Sequence, residues 1–441
     1  MNTIYPHFHF RPKNNWLNDP NGTIYHNGYY HIFYQYNPTS DCWGNLHWGH
    51  ARTKDFINYE VIFNNLEPQK ELGETDCFSG CLAINKKNKP VALYTSVSIN
   101  NDEIPNVQKA VFLDDNLNSF KEKRINALTI DMKNIPKIRN DWRDPYVFTY
   151  KNRYFLVIAA AIGDLQDPSV LLFECEDGSL TNWKYKNEIV TFNPVIELFE
   201  CPNFFQLGEK WVLLGSPYKE VEYYIGSFNI ETLDFSIEKK GIIDHCAQYY
   251  ATNTIQDDKG RTIILAFERG FSKNKGWNNA ISIPRELYID EYNEIVQKPI
   301  SELKQLRKNK IVENKNFSLS SIIDFTSNHL TQCEINFNIK INDNSKTNLI
   351  LKDEKNCITQ ILFSQNSVKF DSIFIPFKKL NSYNVIIFID HSILEIYIDD
   401  GKHCATRIIE ELSTINNLQF RGNCEITNLN IYEMDNLNII E

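Results

Sequence analysis

Short runs of Tyr, Phe, Ile and Val alternate along most of the chain with clusters of Asn, Gly, Lys and Asp. That pattern predicts β-strands bounded by tight turns. Tyr29-Tyr30-His31-Ile32-Phe33-Tyr34, preceded by His26-Asn27-Gly28, reads as a strand behind a hairpin turn. The longest apolar stretches, such as Phe155 to Ile162, are strand-sized and well short of the ~20 residues a membrane-spanning helix needs. Helical periodicity is present in one place, where Ile300, Leu303 and Leu306 form a stripe behind Pro299. It predicts a linker with a short helix over 299–312. Beyond it, segments 333–341, 357–363, 384–398 and 423–432 alternate, and Asp399-Asp400-Gly401 closes the third of them with a turn. These predict a β-sandwich over 313–441.

The first 298 residues carry an internal repeat. Asp19-Pro20, Asp144-Pro145 and Glu200-Cys201-Pro202 each place an acid eight residues before a turn residue, namely Asn27, Asn152 and Gly208. Two acid-free segments, starting near Ser79 and Ala251, fit the same hairpin, and the five starts lie 60, 65, 56 and 51 residues apart. Several strands per repeat at that spacing predict propeller blades over 1–298. The innermost strand of each blade lines the central channel, so Asp19, Asp144 and Glu200 are expected to converge on one mouth. Acid–proline pairs are also ordinary turn chemistry; the common offset favours the shared register.

The 441-residue chain has 46 basic and 56 acidic residues, a net charge of −10, which excludes a broad nucleic-acid-binding face. Its 42% hydrophobic content excludes disorder as the main state. The ten cysteines form no Cys-x-x-Cys pair and no His spacing completes a zinc site, so reduced thiols in a cytoplasmic protein are expected. Residues 1–10 show no basic and apolar segments of a secretory leader. No phosphate-binding glycine loop is present.

Two carboxyls, one protonated and one ionised, are the equipment of a glycosidase. Glu200, behind Ile196 to Phe199, has an apolar setting that would raise its pKa and suit a general acid. The amides of Asn18 and Asn21 are expected to keep Asp19 ionised. Trp43 to His50 holds two Trp and two His, suited to sugar faces and hydroxyls, although His47 or His50 taken alone reads first as a core histidine.

The motifs resemble glycoside hydrolase family 32, the invertases, sucrose-6-phosphate hydrolases and fructan hydrolases. Trp16-Leu17-Asn18-Asp19-Pro20-Asn21-Gly22 matches its signature. His47-Trp48-Gly49-His50-Ala51, Phe78-Ser79-Gly80, Trp142-Arg143-Asp144-Pro145, Glu200-Cys201-Pro202 and Ser282 to Leu287 follow in the family's order. The resemblance implies an all-β fold, a five-bladed β-propeller followed by a C-terminal β-sandwich. It implies Asp19 as nucleophile, Glu200 as acid/base and Asp144 as transition-state stabiliser. Asn18, Gln35, Trp43, Phe78, Ser79 and Arg143 match positions that hold the fructose unit; Asp244 and Gln248 fall in the connection between the fourth and fifth blades. No metal and no cofactor is implied.

Three departures bear on the leaving group. Trp43-Gly44-Asn45-Leu46 lacks Gly-Pro-Met, Asn203 replaces an Asp, and Tyr249 to Asn253 differs from Tyr-Ala-Pro-Gln. These positions are expected to rim the leaving-group side. The expected function is a retaining β-fructofuranosidase, monomer or homodimer, acting on sucrose or sucrose 6-phosphate. Fructan hydrolysis, fructosyl transfer, a silent sugar-binding propeller and an inverting propeller hydrolase are the alternatives, and the intact acids and signature speak against the last two.

Overall fold

The computed structural model describes residues 5–98, 106–128, 138–192, 198–343 and 345–441. Five antiparallel blades are followed by two packed six-stranded sheets. Blade 1 holds Asn15–His26, Tyr29–Asn37, His47–Thr53 and Asn58–Leu66. Blade 2 holds Asp76–Ile84, Pro90–Val97, Asn106–Leu113 and Phe120–Leu128, and blade 3 holds Ile138–Tyr150, Arg153–Ile162, Asp167–Cys175 and Lys184–Thr191. Blade 4 holds Glu200–Leu207, Lys210–Ser216, Glu222–Phe228 and Phe235–Ile242. Blade 5 is built on Tyr249–Gln256, Thr262–Glu268, Arg285–Ile289 and Ile295–Pro299.

Burial follows position within a blade. The second strands Pro90–Val97 and Thr262–Glu268 are buried throughout, because neighbouring blades cover both their faces. The outer strand Phe235–Ile242 meets solvent over most of its length. Continuous apolar runs such as Phe155 to Ile162 are thus second strands.

The ring is tied at blade 1 from two sides. Trp277–Asn278 pairs in parallel with Asn15 and Trp16, and Asn438–Ile440 pairs in parallel with Asn58 to Glu60 on the outer strand. The last residues therefore leave the sandwich and return to the propeller. The stripe of Ile300, Leu303 and Leu306 is buried on a 3₁₀ turn at Ser301–Leu306, not on an α-helix. The next strand, Arg307–Leu319, already belongs to the sandwich, so the linker is shorter than the sequence pattern implied. Segment 384–398 is two strands, Ser382–Asp390 and Ile393–Ile398, because His391 turns at φ 56°. The turn at Asp399-Asp400-Gly401 follows, with all three residues at positive φ.

One irregularity recurs in every inner strand. Between Leu17 and Pro20, Cys77 and Gly80, Arg143 and Tyr146, Glu200 and Asn203, and Tyr250 and Asn253, three residues of the inner strand span two of its neighbour. These are β-bulges, which break the ladder and re-aim side chains. Proline is tolerated there because the bulge needs no ladder donor, as at Pro145 and Pro202. The three acids occupy successive bulge positions rather than one common position: Asp19 third, Asp144 second, Glu200 first. Their equal spacing to the turn comes from a longer, twice-bulged first hairpin in blade 1 and from a turn marker one residue later in blade 3.

Candidate active site

The bulges of blades 1 to 4 aim Asp19, Ser79, Asp144 and Glu200 into one cavity of about 440 Å³, whose wall also includes Asn18, Gln35, Trp43, Phe78 and Arg143. Gly22 at φ +52° is a condition for this packing, since a Cβ there would stand 2.9 Å from the Trp48 ring. A larger cleft of about 1220 Å³, between the Gly270–Ser272 segment and the sandwich, holds none of these groups.

Asp19 is gripped on both oxygens. Asn18 Nδ2 donates to Oδ1 at 3.1 Å and Ser79 Oγ donates to Oδ2 at 2.7 Å, while Trp16 Nε1 orients Asn18 through its Oδ1 at 2.7 Å. Asn21 points elsewhere; its amide is buried without a partner among the described residues. Contrary to the expectation of a carboxylate held ionised, Asp19 is shifted upward. Loss of water outweighs the bonds from Ser79, Asn18 and Cys201, and Glu200 adds like-charge repulsion.

Asp144 sits at φ 62°, a backbone state that Asp tolerates better than most residues. Its N–H donates to Thr95 Oγ1 at 3.1 Å, and its Oδ2 accepts from the Cys201 N–H at 2.9 Å. Burial pushes its carboxyl up to about 7; Arg143 opposes this, and the charges of Glu200 and Asp19 reinforce it.

Glu200 is surrounded by polar groups, not by the apolar pocket expected from the residues before it. Of that run, Ile196 and Glu197 lie outside the described residues, and Leu198 and Phe199 are fully buried. Arg143 Nη2 donates to Oε1 at 2.8 Å, Tyr218 OH to the same oxygen at 3.0 Å, and Tyr250 OH to Oε2 at 2.6 Å. Arg143 also pairs with Asp141 and donates to Tyr218 OH at 2.6 Å.

Gln35 donates to the Cys77 carbonyl at 3.0 Å and leaves its Oε1 without a partner among the described residues. Trp43 is 54% exposed and meets Phe78 edge-on at 6.2 Å. Cys201 Sγ lies 3.6 Å from both Asp19 Oδ2 and Asp144 Oδ2; burial and these charges push its thiol well above the ordinary range. All ten cysteines are free.

Asp244 and Gln248 are not brought to the cavity. Asp244 is fully buried against Arg285 and accepts from the Thr406 N–H at 2.9 Å, and Gln248 Oε1 accepts from the Ile408 N–H at 2.9 Å. Both therefore fasten the blade 4–5 connection to the sandwich. Asn203 is also away from the rim, with its amide spent on the carbonyls of Cys201 and Thr252. His47 and His50 are buried, and His50 pairs with His31 at 3.0 Å. The sequence pattern does not point to Trp16, Phe267 and Arg269 in the wall or to Tyr218 on Glu200, whereas Leu46 and Tyr250, in stretches expected at the leaving-group rim, lie in the wall and on Glu200 respectively. Tyr250 had a legible signal, its place at the start of the fifth repeat; Tyr218 and Arg269 had none.

Behind the cavity, His9, Glu268 and Glu395 bring potential metal ligands within 4.8 Å of one another. Glu395 is already occupied by donors from Ile283 N–H, Arg285 and Tyr397. His9 donates to Asp390 Oδ2 at 2.8 Å. The group works as an ion-pair network between the domains. Among the described residues no helix is long and apolar enough to cross a membrane.

Residues 9–299 match the Glycosyl hydrolases family 32 N-terminal domain, and residues 302–433 match the Glycosyl hydrolases family 32 C terminal. The chain is 26% identical to a sucrose-6-phosphate hydrolase of Zymomonas mobilis, over 90% of this chain and 84% of the relative. It is 27% identical to a sucrose-6-phosphate hydrolase of Bacillus subtilis, over 96% and 90%. In structure it is similar to a Bombyx mori GH32 beta-fructofuranosidase, with a TM-score of 0.85 and 24% identity over 100% of this chain and 95% of the other. Fructan 1-exohydrolase IIa of Cichorium intybus gives the same TM-score at 21% identity, over 100% and 99%. With both domain matches spanning nearly its whole length, the chain belongs to glycosyl hydrolase family 32.

Proposed function

We propose that the protein is a retaining β-fructofuranosidase that hydrolyses sucrose or sucrose 6-phosphate in the cytoplasm, without a metal or cofactor. The observation that carries this reading is the convergence of Asp19, Asp144 and Glu200, from three blades, on one small cavity. Ser79 and Asn18 hold the Asp19 carboxyl in place for attack on the anomeric C2 of a terminal fructofuranosyl unit. As the C2–O bond breaks, Glu200 gives its proton to the leaving oxygen, and a covalent fructosyl-enzyme remains on Asp19. Glu200 then takes a proton from water, whose oxygen attacks C2 and frees Asp19. Asp144 binds fructose hydroxyls and stabilises the oxocarbenium-like transition state.

The electrostatics support this cycle. Three carboxyls share one cavity, and the upward shifts of Asp19 and Asp144 indicate that the cluster retains a proton toward neutral pH. Arg143 binds Glu200 directly and its charge opposes the upward shift of Asp144, which limits repulsion within the cluster. The unpaired Gln35 Oε1 and the exposed Trp43 face offer a hydroxyl acceptor and a sugar platform. The free thiols are consistent with a reducing compartment.

The test is the anomer released from sucrose, followed by NMR before mutarotation. Retention requires β-fructofuranose to appear first. First appearance of the α-anomer would overturn the covalent mechanism.

A further inference from the structure

The cavity contains a cation that the proposed chemistry leaves unused. Among the described residues lining it, only Arg143 and Arg269 carry positive charge. Arg143 is consumed by Glu200, Asp141 and Tyr218. Arg269 is fixed by one bond, from Nε to the Ala247 carbonyl at 2.9 Å, and its guanidinium lies 3.7 Å above the Tyr250 ring. Its two Nη groups have no hydrogen-bond partner among the described residues, in a half-buried position in the cavity wall.

A guanidinium is costly to desolvate without a partner, and its planar fork suits the geometry of a phosphate or carboxylate. Here it is pre-aimed by the Tyr250 face. Its location assigns the side of the substrate. Tyr250 OH touches Glu200, which in the proposed reaction protonates the leaving oxygen. Fructose lies on the Asp19 and Asp144 side. Arg269, packed on Tyr250, therefore lies beside the leaving group.

We propose that Arg269 is the specificity-determining residue for an anionic leaving group, a hexose carrying a phosphate, so that sucrose 6-phosphate phosphorylated on its leaving hexose is preferred over sucrose. This rests on the β-fructofuranosidase reading. Three carboxyls in the cavity and a net charge of −10 both repel an anion, so an anionic substrate needs a local cation. A compensating guanidinium next to the leaving group offsets this repulsion where the phosphate comes to rest, while neutral glucose gains little from it.

The test compares kcat/KM for sucrose 6-phosphate and for sucrose, in wild type, Arg269→Met and Arg269→Lys, with glucose 6-phosphate and glucose as product inhibitors. Wild type should prefer the phosphorylated sugar and bind glucose 6-phosphate more tightly than glucose. In Arg269→Met the ratio of the two kcat/KM values should fall about 10- to 100-fold, the worth of a charge-assisted contact. Arg269→Lys should restore part of it, and rising salt should lower the wild-type ratio. Sucrose turnover in each variant reports that the protein is folded. An equal loss on both sugars would make Arg269 a positioning residue for Tyr250 and overturn the proposal, as would wild-type activity on sucrose with no preference for the phosphate. Absence of wild-type activity on either sugar would instead overturn the β-fructofuranosidase reading itself.

Discussion

Replacing His9 with Gln should change how stability depends on pH, in a direction and size fixed by its partners. His9 is fully buried between propeller and sandwich, where Nδ1 meets Asp390 Oδ2 at 2.8 Å and Nε2 meets Glu395 Oε1 at 3.2 Å and Glu268 Oε1 at 3.7 Å. Burial disfavours its charge, but Glu268, Asp390 and Glu395 together outweigh that and raise its pKa from 6.5 to about 10. The folded protein thus holds a proton that the unfolded chain releases above pH 6.5. Its stabilisation is fully present below 6.5 and is lost as pH rises through the folded value, at about 1.4 kcal/mol per pH unit and about 5 kcal/mol across the window. Glu268 belongs to the same titration: burial pushes its carboxyl up while the His9 charge opposes this, so the slope is that of the pair. In His9→Gln the carboxylates lose their cation, so the variant should be about 3–5 kcal/mol less stable near pH 6.5. The deficit should shrink toward pH 9.5. Urea unfolding followed by tryptophan fluorescence at intervals between these pH values measures it, and titrating groups outside this cluster cancel in the difference. A deficit that stays constant with pH would show that His9 is neutral in the folded protein and refute the argument.

Asp19→Asn and Glu200→Gln should each lower kcat by on the order of 10³-fold or more with an unchanged circular dichroism spectrum; near-normal turnover in either would remove that residue from the mechanism. Tyr250→Phe deletes the 2.6 Å bond to Glu200 Oε2, and should cut kcat about 10-fold and displace one limb of the pH–rate profile. An unmoved profile would mean that the hydroxyl does not tune the acid. Cys201→Ser should keep most activity, because the thiol is far from ionised; inactivation by a thiol reagent that substrate prevents and the Ser variant escapes would contradict this.

The propeller was legible because apolar runs, turn residues and acid–proline pairs repeat at blade spacing. The registration of the acids was not. Counting back from the turns put Asp19, Asp144 and Glu200 at one position, whereas strand pairing puts them at three successive bulge positions. A bulge adds a residue without changing residue type, so spacing alone cannot reveal it. The surroundings of Glu200 were misread for a related reason. Its neighbours in sequence are apolar, but Arg143, Tyr218 and Tyr250 reach it from other parts of the propeller. Asp244 and Gln248 were drawn toward the site by motif position, yet their partners Arg285, Thr406 and Ile408 lie over a hundred residues away in two of the three cases and at the domain junction in all.

One pair of blade 5 strands carries both residues at the cavity and residues held by the sandwich. Successive side chains on a strand face opposite sides, and blade 5 uses both. Tyr249 pairs with Glu268, and Tyr250 with Phe267. On one face, Glu268 lies against His9, and Tyr249 sits under the Arg285 guanidinium, 4.0 Å from its ring centre. Arg285 in turn binds Asp244 at 3.1 Å and Glu395 of the sandwich at 2.8 Å. On the other face, Phe267 and Arg269 line the cavity, and Tyr250 bonds Glu200. The residues touching the acid/base thus alternate with residues held by the interdomain ion pairs. A one-residue slip of either strand would exchange the two faces, burying Arg269 among carboxylates and turning Glu268 into the cavity. The ion network behind blade 5 therefore reinforces the register that places Tyr250 on Glu200, which gives the sandwich a physical part in the geometry of a site to which, among the described residues, it contributes no side chain.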